Sequence, residues 1–398
     1  MSVSLNRQIG SIFIVIGTEV GAGILALPIL IAHIGFILGC LIMLIAWALM
    51  TYTALLLCEV NLALEDGASF AGMAQRLLGW VGQTITWLSF LILLYTIMVA
   101  YISAAGSSFN TVIPLGQHMI SLVFVIIFGS LVVIGTIMVD WANRILLSIK
   151  LLLLLFVCVV LTPSIQFGHL LPSFFNEHII LVALPVFVTS FTSHLIIPPL
   201  RTYLKSDAKA LARSVIIGSI IPLVLYIIWI TGILGVIPYT GENSFAVLFA
   251  KGTQANVGDI LNLMRSNLHN EVFYAPVSWF SNISVTTSFL GVSLALYYFL
   301  IDGLKLRKLP ALQKNIIATL LTFTIPLLVV WFYPNAFIKA LGYVGLCCAV
   351  LLIVLPVFMI RKLKQQGHQF KISYINNDLF LYTALILGII VILIQLFS

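Results

Sequence analysis

Residues 17–28 read Gly17-Thr18-Glu19-Val20-Gly21-Ala22-Gly23-Ile24-Leu25-Ala26-Leu27-Pro28. They lie inside an apolar segment long enough to cross a membrane. Three glycines and one carboxylate fall within seven residues. Glycine weakens a helix, and an ionisable group in hydrocarbon costs several kcal/mol. At membrane depth, backbone leaves the helix only where it is buried in protein or lines a cavity. The stretch therefore reads as the interruption of a discontinuous helix, with a binding site built around it.

Composition agrees with this reading. Of 398 residues, 62% are hydrophobic and 8% charged, against roughly a quarter charged in soluble domains. This is the composition of a polytopic, all-α integral membrane protein. Cys40, Cys58, Cys158, Cys347 and Cys348 all sit in apolar segments and read as small hydrophobes, not as a disulfide framework or metal site. No cleavable signal stands out, so the first apolar segment is expected to be retained.

Eleven spans are expected, near 8–33, 35–63, 83–112, 119–139, 142–163, 178–200, 212–238, 272–300, 314–333, 338–360 and 379–397. With the N-terminus in the cytoplasm, every Lys and Arg falls on the inner side except Lys251, Arg265 and Lys339. That bias orients the chain and places the C-terminus outside. It also accounts for the net charge of +7, so no nucleic-acid partner is expected. Residues 64–82 form a candidate amphipathic helix inside. Residues 239–271, with Asp259, Arg265 and His269 around Leu261, Leu263 and Met264, read either as a helical cap over an external vestibule or as an ordinary loop.

Span six repeats the peculiarity of span one. Its apolar course is interrupted at Thr189-Ser190-Phe191-Thr192-Ser193-His194, with Pro185 before and Pro198-Pro199 after. Two interrupted segments five spans apart run in opposite directions, the pattern of inverted repeats around a midplane site. The expected architecture is a 5+5 inverted repeat with helices 1 and 6 broken and one extra helix. The first repeat covers 1–163 and the second 164–360; 361–398 holds a cytoplasmic loop and span eleven.

A broken helix offers unpaired N–H groups on one half and unpaired carbonyls on the other. The N–H groups near Gly21, Ala22 and Gly23 suit a carboxylate. Carbonyls at Gly17 and Val20 suit an ammonium or alkali cation. A molecule bearing both groups is an amino acid, although other zwitterions satisfy the same argument. Thr189, Ser190, Phe191, Thr192 and Ser193 complete the candidate substrate site.

Glu19 has two readings: a buried partner for a cation, or the group that contacts the substrate ammonium or carries a coupling proton. Lys150 either snorkels or acts as an internal ammonium in place of sodium. Glu59, Asp140 and His33 read as interfacial, and His194 as a core histidine or a relay. Ser284 and Ser288 share a helical face with Thr287 nearby, as cation ligands or as interhelical hydrogen bonds. Tyr95, Tyr101, Phe187, Phe191, Tyr297 and Tyr343 are candidate aromatic walls. HExxH, GxSxG and Walker signatures are absent, so an enzyme is not expected, nor a cofactor or metal.

In Ile16-Gly17-Thr18, Gly21-Ala22-Gly23, Leu27-Pro28, Tyr52–Leu57 with Glu59-Val60, Ala100–Ser103, Asn143-Arg144, Pro185-Val186, Thr287–Val292 and Tyr333-Pro334, the chain resembles the hydroxy/aromatic amino acid permease family. It is most similar to the tyrosine-specific branch, within the amino acid–polyamine–organocation superfamily. The resemblance implies an eleven-span inverted-repeat permease with proton-coupled symport of aromatic amino acids, tyrosine first, across a bacterial inner membrane. It implies that carbonyls at Gly17 and Val20, with Ser284, Thr287 and Ser288, match a cation site. It implies too that Lys150 takes the cation's place and that Tyr101 faces the substrate. Glu19 departs from the family pattern, where threonine or an apolar residue is usual. The alternatives are a sodium-coupled or small-neutral amino acid carrier of the same fold, and a sensor that binds without transporting.

Overall fold

The computed structural model describes residues 4–397 except Ala22, 66–67, 172–176, His269, 373–374 and Asn376. The described residues contain no strand. The helices are α1 (Leu5–Glu19), α2 (Gly23–Ile34), α3 (Phe36–Ala63), α4 (Phe70–Asn110), α5 (Gln117–Ile134), α6 (Thr136–Leu161), α7 (Glu177–Thr189) and α8 (Ile197–Tyr203). They continue as α9 (Ala208–Val236), α10 (Phe245–Lys251), α11 (Val257–Leu268), α12 (Glu271–Gly303), α13 (Ala311–Phe332), α14 (Phe337–Cys348), α15 (Leu355–Gln365) and α16 (Asp378–Phe397). A π-helical segment, Ala349–Val354, joins α14 to α15.

Ten helical segments among the described residues are long and apolar enough to span a bilayer, and eleven if α1 and α2 count as one. Those two meet at 57°. The α7–α8 segment is not continuous either: α7 ends at Thr189, and helix resumes through a single 3-10 turn at His194–Ile196. The many large apolar side chains exposed on α5, α6, α13 and α16 face hydrocarbon. The α14–α15 segment is the most buried span and α6 and α16 the least.

Local chemistry sets the boundaries. Side chains of Ser69, Asp207 and Asn270 accept the first free N–H groups of α4, α9 and α12, which helix starts require. The stretch expected as an amphipathic helix forms the opening of α4, burying Phe70, Met73, Ala74 and Leu77. It bends into the span at Gly79, whose φ of 72° suits glycine.

One boundary differs from expectation. The turn between spans four and five falls at Gly135, φ 141°, not at 139–142. Glycine alone takes that backbone shape without strain, so the turn forms there. Asp140, Asn143 and Arg144 consequently lie on α6 itself.

Without a hydrophobic force between helices in lipid, close packing and hydrogen bonds hold them together. Gly345 of α14 lies so close to Pro185 of α7 that any Cβ would overlap its carbonyl group. Ser11 and Ser214 pair at 2.6 Å between α1 and α9. Ser108 donates to Asn282 at 2.7 Å between α4 and α12.

One end of the bundle is covered by α10 and α11. The Gly258 N–H donates to Ser107 Oγ at 2.8 Å, and Asn256 Nδ2 to Ser103 Oγ at 3.1 Å. Ser103 Oγ in turn donates to the Pro334 carbonyl at 2.6 Å. Residues 239–271 are thus a helical cap bonded to α4. His269 lies outside the described residues.

Candidate functional site

The site starts where α1 stops. Val20 leaves the helix with ψ 77°, and the Gly21 N–H turns back to the Glu19 carbonyl at 2.7 Å. This frees the Val20 carbonyl, and Lys150 Nζ of α6 donates to it at 2.7 Å. Lys150 is only 2% exposed, so it does not snorkel. An ammonium buried in this way needs fixed oxygen partners.

The two interruptions touch. A Cβ placed on Gly23 would stand 2.9 Å from Ser190 Oγ and 3.4 Å from Ser190 Cα. A larger residue at 23 would make the Ser190 hydroxyl move aside. Tyr226 of α9 binds both sides of the contact. Its hydroxyl donates to the Glu19 carbonyl at 2.6 Å, with the Ser190 carbonyl at 3.1 Å. The ring is fully buried and packs on Phe191 at 5.5 Å between centroids.

Two cavities adjoin this junction. The first, about 120 Å³, is lined by Glu19, Gly21, Gly23, Tyr101, Thr189 and Thr192 on its polar side. Its remaining wall is largely apolar, from Leu94 and Ile97 of α4, Val292 of α12 and Leu341 and Val344 of α14. The second, about 450 Å³, shares Thr18, Gly21, Tyr101 and Val292 with the first. It contains Gly17, Val20, Lys150, Thr287 and Ser288, and reaches the exposed Asp140–Arg144 pair, 2.9 Å apart. That pair stands at the end of the bundle opposite the α10–α11 cap.

The carboxyl group of Glu19, 4% exposed, stands near the Ser193 side chain. Its Oε2 is buried with no partner among the described residues. Tyr101 and Ser288 both line the second cavity. The hydroxyls of Thr189 and Ser190 both return to the Val186 carbonyl, at 2.7 and 3.1 Å. Thr192 returns to Thr189 at 3.1 Å. These three hydroxyls satisfy the interrupted end of α7 itself.

Several candidates fall elsewhere. Ser190, Phe191 and Ser193 stand behind the first cavity, not on its wall. The Ser284 hydroxyl is buried without a partner among the described residues and lines neither cavity. Ala22 lies outside the described residues. Of the candidate aromatic walls, only Tyr101 meets the two central cavities. Tyr95 and Tyr343 line a third cavity, on the far side of α4 and α14.

Two ionisable groups, His33 and Glu59, depart from the sequence reading, and His194 takes its core alternative. His33 is buried, not interfacial: its Nδ1 donates to the Ile29 carbonyl at 2.8 Å, and its ring packs on Phe249 of the cap. The Glu59 side chain is fully buried, receiving N–H groups of Lys371 and Ile372 at 3.0 and 2.9 Å and His368 Nε2 at 3.1 Å. It ties the segment after α15 to α3. His194 Nε2 bonds Thr53 Oγ1 at 2.9 Å and lies outside both cavities. Sequence reasoning missed Tyr226, because one tyrosine in an apolar helix looks like packing. It also missed Asn143 on the wall of the second cavity.

Comparison with known proteins adds an independent line. Residues 5–395 match the model of the tryptophan/tyrosine permease family. The chain is 35% identical to tyrosine-specific transport system 1 of Haemophilus influenzae, over 97% of this chain and 96% of that protein. It is 28% identical to the tryptophan-specific transport protein of the same organism, over 98% and 95%. It is 29% identical to glutamine transporter 2 of Aliivibrio fischeri, over 95% and 94%. By this match along almost its whole length, the chain belongs to the tryptophan/tyrosine permease family.

Proposed function

We propose that the protein is a proton-coupled symporter that carries aromatic amino acids, tyrosine first, into the cell across a bacterial inner membrane. The observation that carries the reading is the contact between Gly23 and Ser190 beside a cavity with one polar and one apolar side. In this reading α1–α2 and α7–α8 are the broken first helices of two inverted five-span repeats, residues 1–163 and 164–360, with α16 outside them. The N–H groups at Gly21–Gly23 take the substrate carboxylate. Carbonyls and hydroxyls at the end of α7, with Glu19, take the ammonium. The ring lies against the apolar wall.

Lys150 supports protons over sodium as the coupling ion. Its ammonium already occupies the Val20 carbonyl that a sodium ion would use, and losing its proton would weaken that contact by removing its charge. Basic residues crowd the end at which the second cavity opens, which supports placing that end in the cytoplasm. The α10–α11 cap then closes the outer face, and access alternates as the repeats rock. Purified protein in proteoliposomes, given labelled tyrosine and an imposed inward proton gradient, should accumulate it without sodium. No accumulation, or accumulation only with sodium, overturns the reading.

A second reading concerns the side chain carried. The resemblance to a glutamine transporter favours an amide side chain, whose N–H would meet the buried Glu19 Oε2. Competition of labelled tyrosine uptake by glutamine separates the two.

A further inference from the structure

The largest cavity described lies away from the two central ones. It encloses about 690 Å³ between α4, α13, α14 and the turn after α10, within the range of small-molecule sites, about 300–1,000 Å³. On α4 it touches Tyr95, Thr96 and Val99, whereas the first central cavity touches Leu94, Ile97 and Tyr101. The α4–α14 pair is therefore a wall between them.

Lys339 is the only charged residue in its lining. Three basic residues belong to this end of the bundle, and two of them have carboxylate partners. Lys251 meets Asp259 at 2.5 Å, and Arg265 meets Glu271 at 2.7 Å. Lys339 has no acidic partner among the described residues. It sits in the first turn of α14, where the helix dipole adds to its positive field. Asn335 and Gln254 share the lining with it and carry amide donors. From there the cavity runs along Ile325, Val329 and Phe332 of α13, about 10 Å of helix. All three are exposed on the lipid-facing side.

An unpaired cation above an apolar trough that opens sideways into the bilayer matches one kind of molecule. We infer that this cavity binds an anionic phospholipid, its phosphate at Lys339 and the start of α14, its upper acyl chain along α13. A free aromatic amino acid would fit the tyrosines, but it would leave the apolar trough along α13 unfilled. The inference does not depend on which solute the protein carries.

Native mass spectrometry of the full chain, exchanged into phosphatidylglycerol or phosphatidylcholine, tests it. The wild-type protein should retain one phosphatidylglycerol in preference to phosphatidylcholine. Lys339→Gln should reduce that preference about fivefold, as expected for one lysine near an anionic headgroup, ~1 kcal/mol. Lys251→Gln, at the same end but paired, should leave it unchanged. Equal retention in wild type and Lys339→Gln, an equal loss in both variants, or displacement of the lipid by millimolar tyrosine would each overturn the assignment.

Discussion

The hydroxyl of Tyr226 lies 2.6 Å from the carbonyl oxygen of Glu19 and 3.1 Å from that of Ser190. One hydroxyl has one proton, so it fills one carbonyl at a time. The other carbonyl stays available at the junction of α1 and α7, where the proposed ammonium would sit. Tyr226→Phe keeps the ring on Phe191 and removes only the donor. The Glu19 carbonyl keeps the Gly21 N–H at 2.7 Å, so the fold loses little, while the two interruptions lose the hydroxyl that joins them. Uptake should fall about tenfold or more, with the apparent KM rising while the thermal midpoint moves little. Wild-type kinetics in the variant would reduce Tyr226 to packing.

Lys150 donates to the Val20 carbonyl and is only 2% exposed. Lys150→Ala should abolish proton-driven uptake in proteoliposomes. Lys150→Gln, which keeps a donor but cannot change its charge, should restore binding of labelled tyrosine without restoring accumulation. Proton-driven accumulation that persists in both variants would remove Lys150 from the coupling mechanism.

Glu19 offers a carboxyl with one oxygen unpartnered beside the smaller cavity. Glu19→Gln keeps the volume and the reach to Ser193. If the carboxylate meets the substrate ammonium, the variant loses a charge-assisted hydrogen bond, about 1.5–3 kcal/mol. The expected result is a tenfold to hundredfold rise in KM for tyrosine uptake. A KM within twofold of wild type would assign Glu19 to another partner.

Gly345 presses on the backbone of Pro185, which cannot rotate away as a side chain can. Gly345→Ala should lower stability by about 1–3 kcal/mol through overpacking, read as a drop in the thermal midpoint in detergent. Gly291 of α12 has open space where its Cβ would go. Gly291→Ala should leave the midpoint unchanged or raise it, since alanine is the better helix former.

Outside the membrane, Arg76 stands 2.7 Å from Glu65. Hydrogen bonding and charge from that guanidinium hold the Glu65 carboxyl below its ordinary value. A lowered folded-state pKa stabilises above the ordinary carboxyl range and loses its effect as pH falls through the lowered value. The difference in thermal midpoint between wild type and Glu65→Gln should be flat near neutrality and shrink to nothing in acid. Because both groups are exposed, 0.5 M salt should shrink it as well. A difference that grows toward acid would contradict the pairing.

Much of this protein was legible in its sequence. The apolar runs set the number of spans closely, because a bilayer demands about 20 apolar residues per helix. The glycines at 17–23 and the hydroxyl cluster at 189–193 marked where helix would stop, since backbone propensity is local. The sequence also singled out Lys150, because a lone ammonium in a long apolar run has to find an oxygen. What it left open was partnership. That the lysine meets Val20, that Gly23 abuts Ser190 and that Tyr226 reaches both interruptions depends on helices distant in sequence packing side by side. His33 and Glu59 were misread for the same reason: burial near a helix end is decided by the α10–α11 cap and by the segment after α15, which fold over them. The turn at Gly135 and the cavity at Lys339 belong to this second class. Apolar periodicity and glycine placement are written along the chain, whereas the pairing of buried polar groups exists only once the spans have packed.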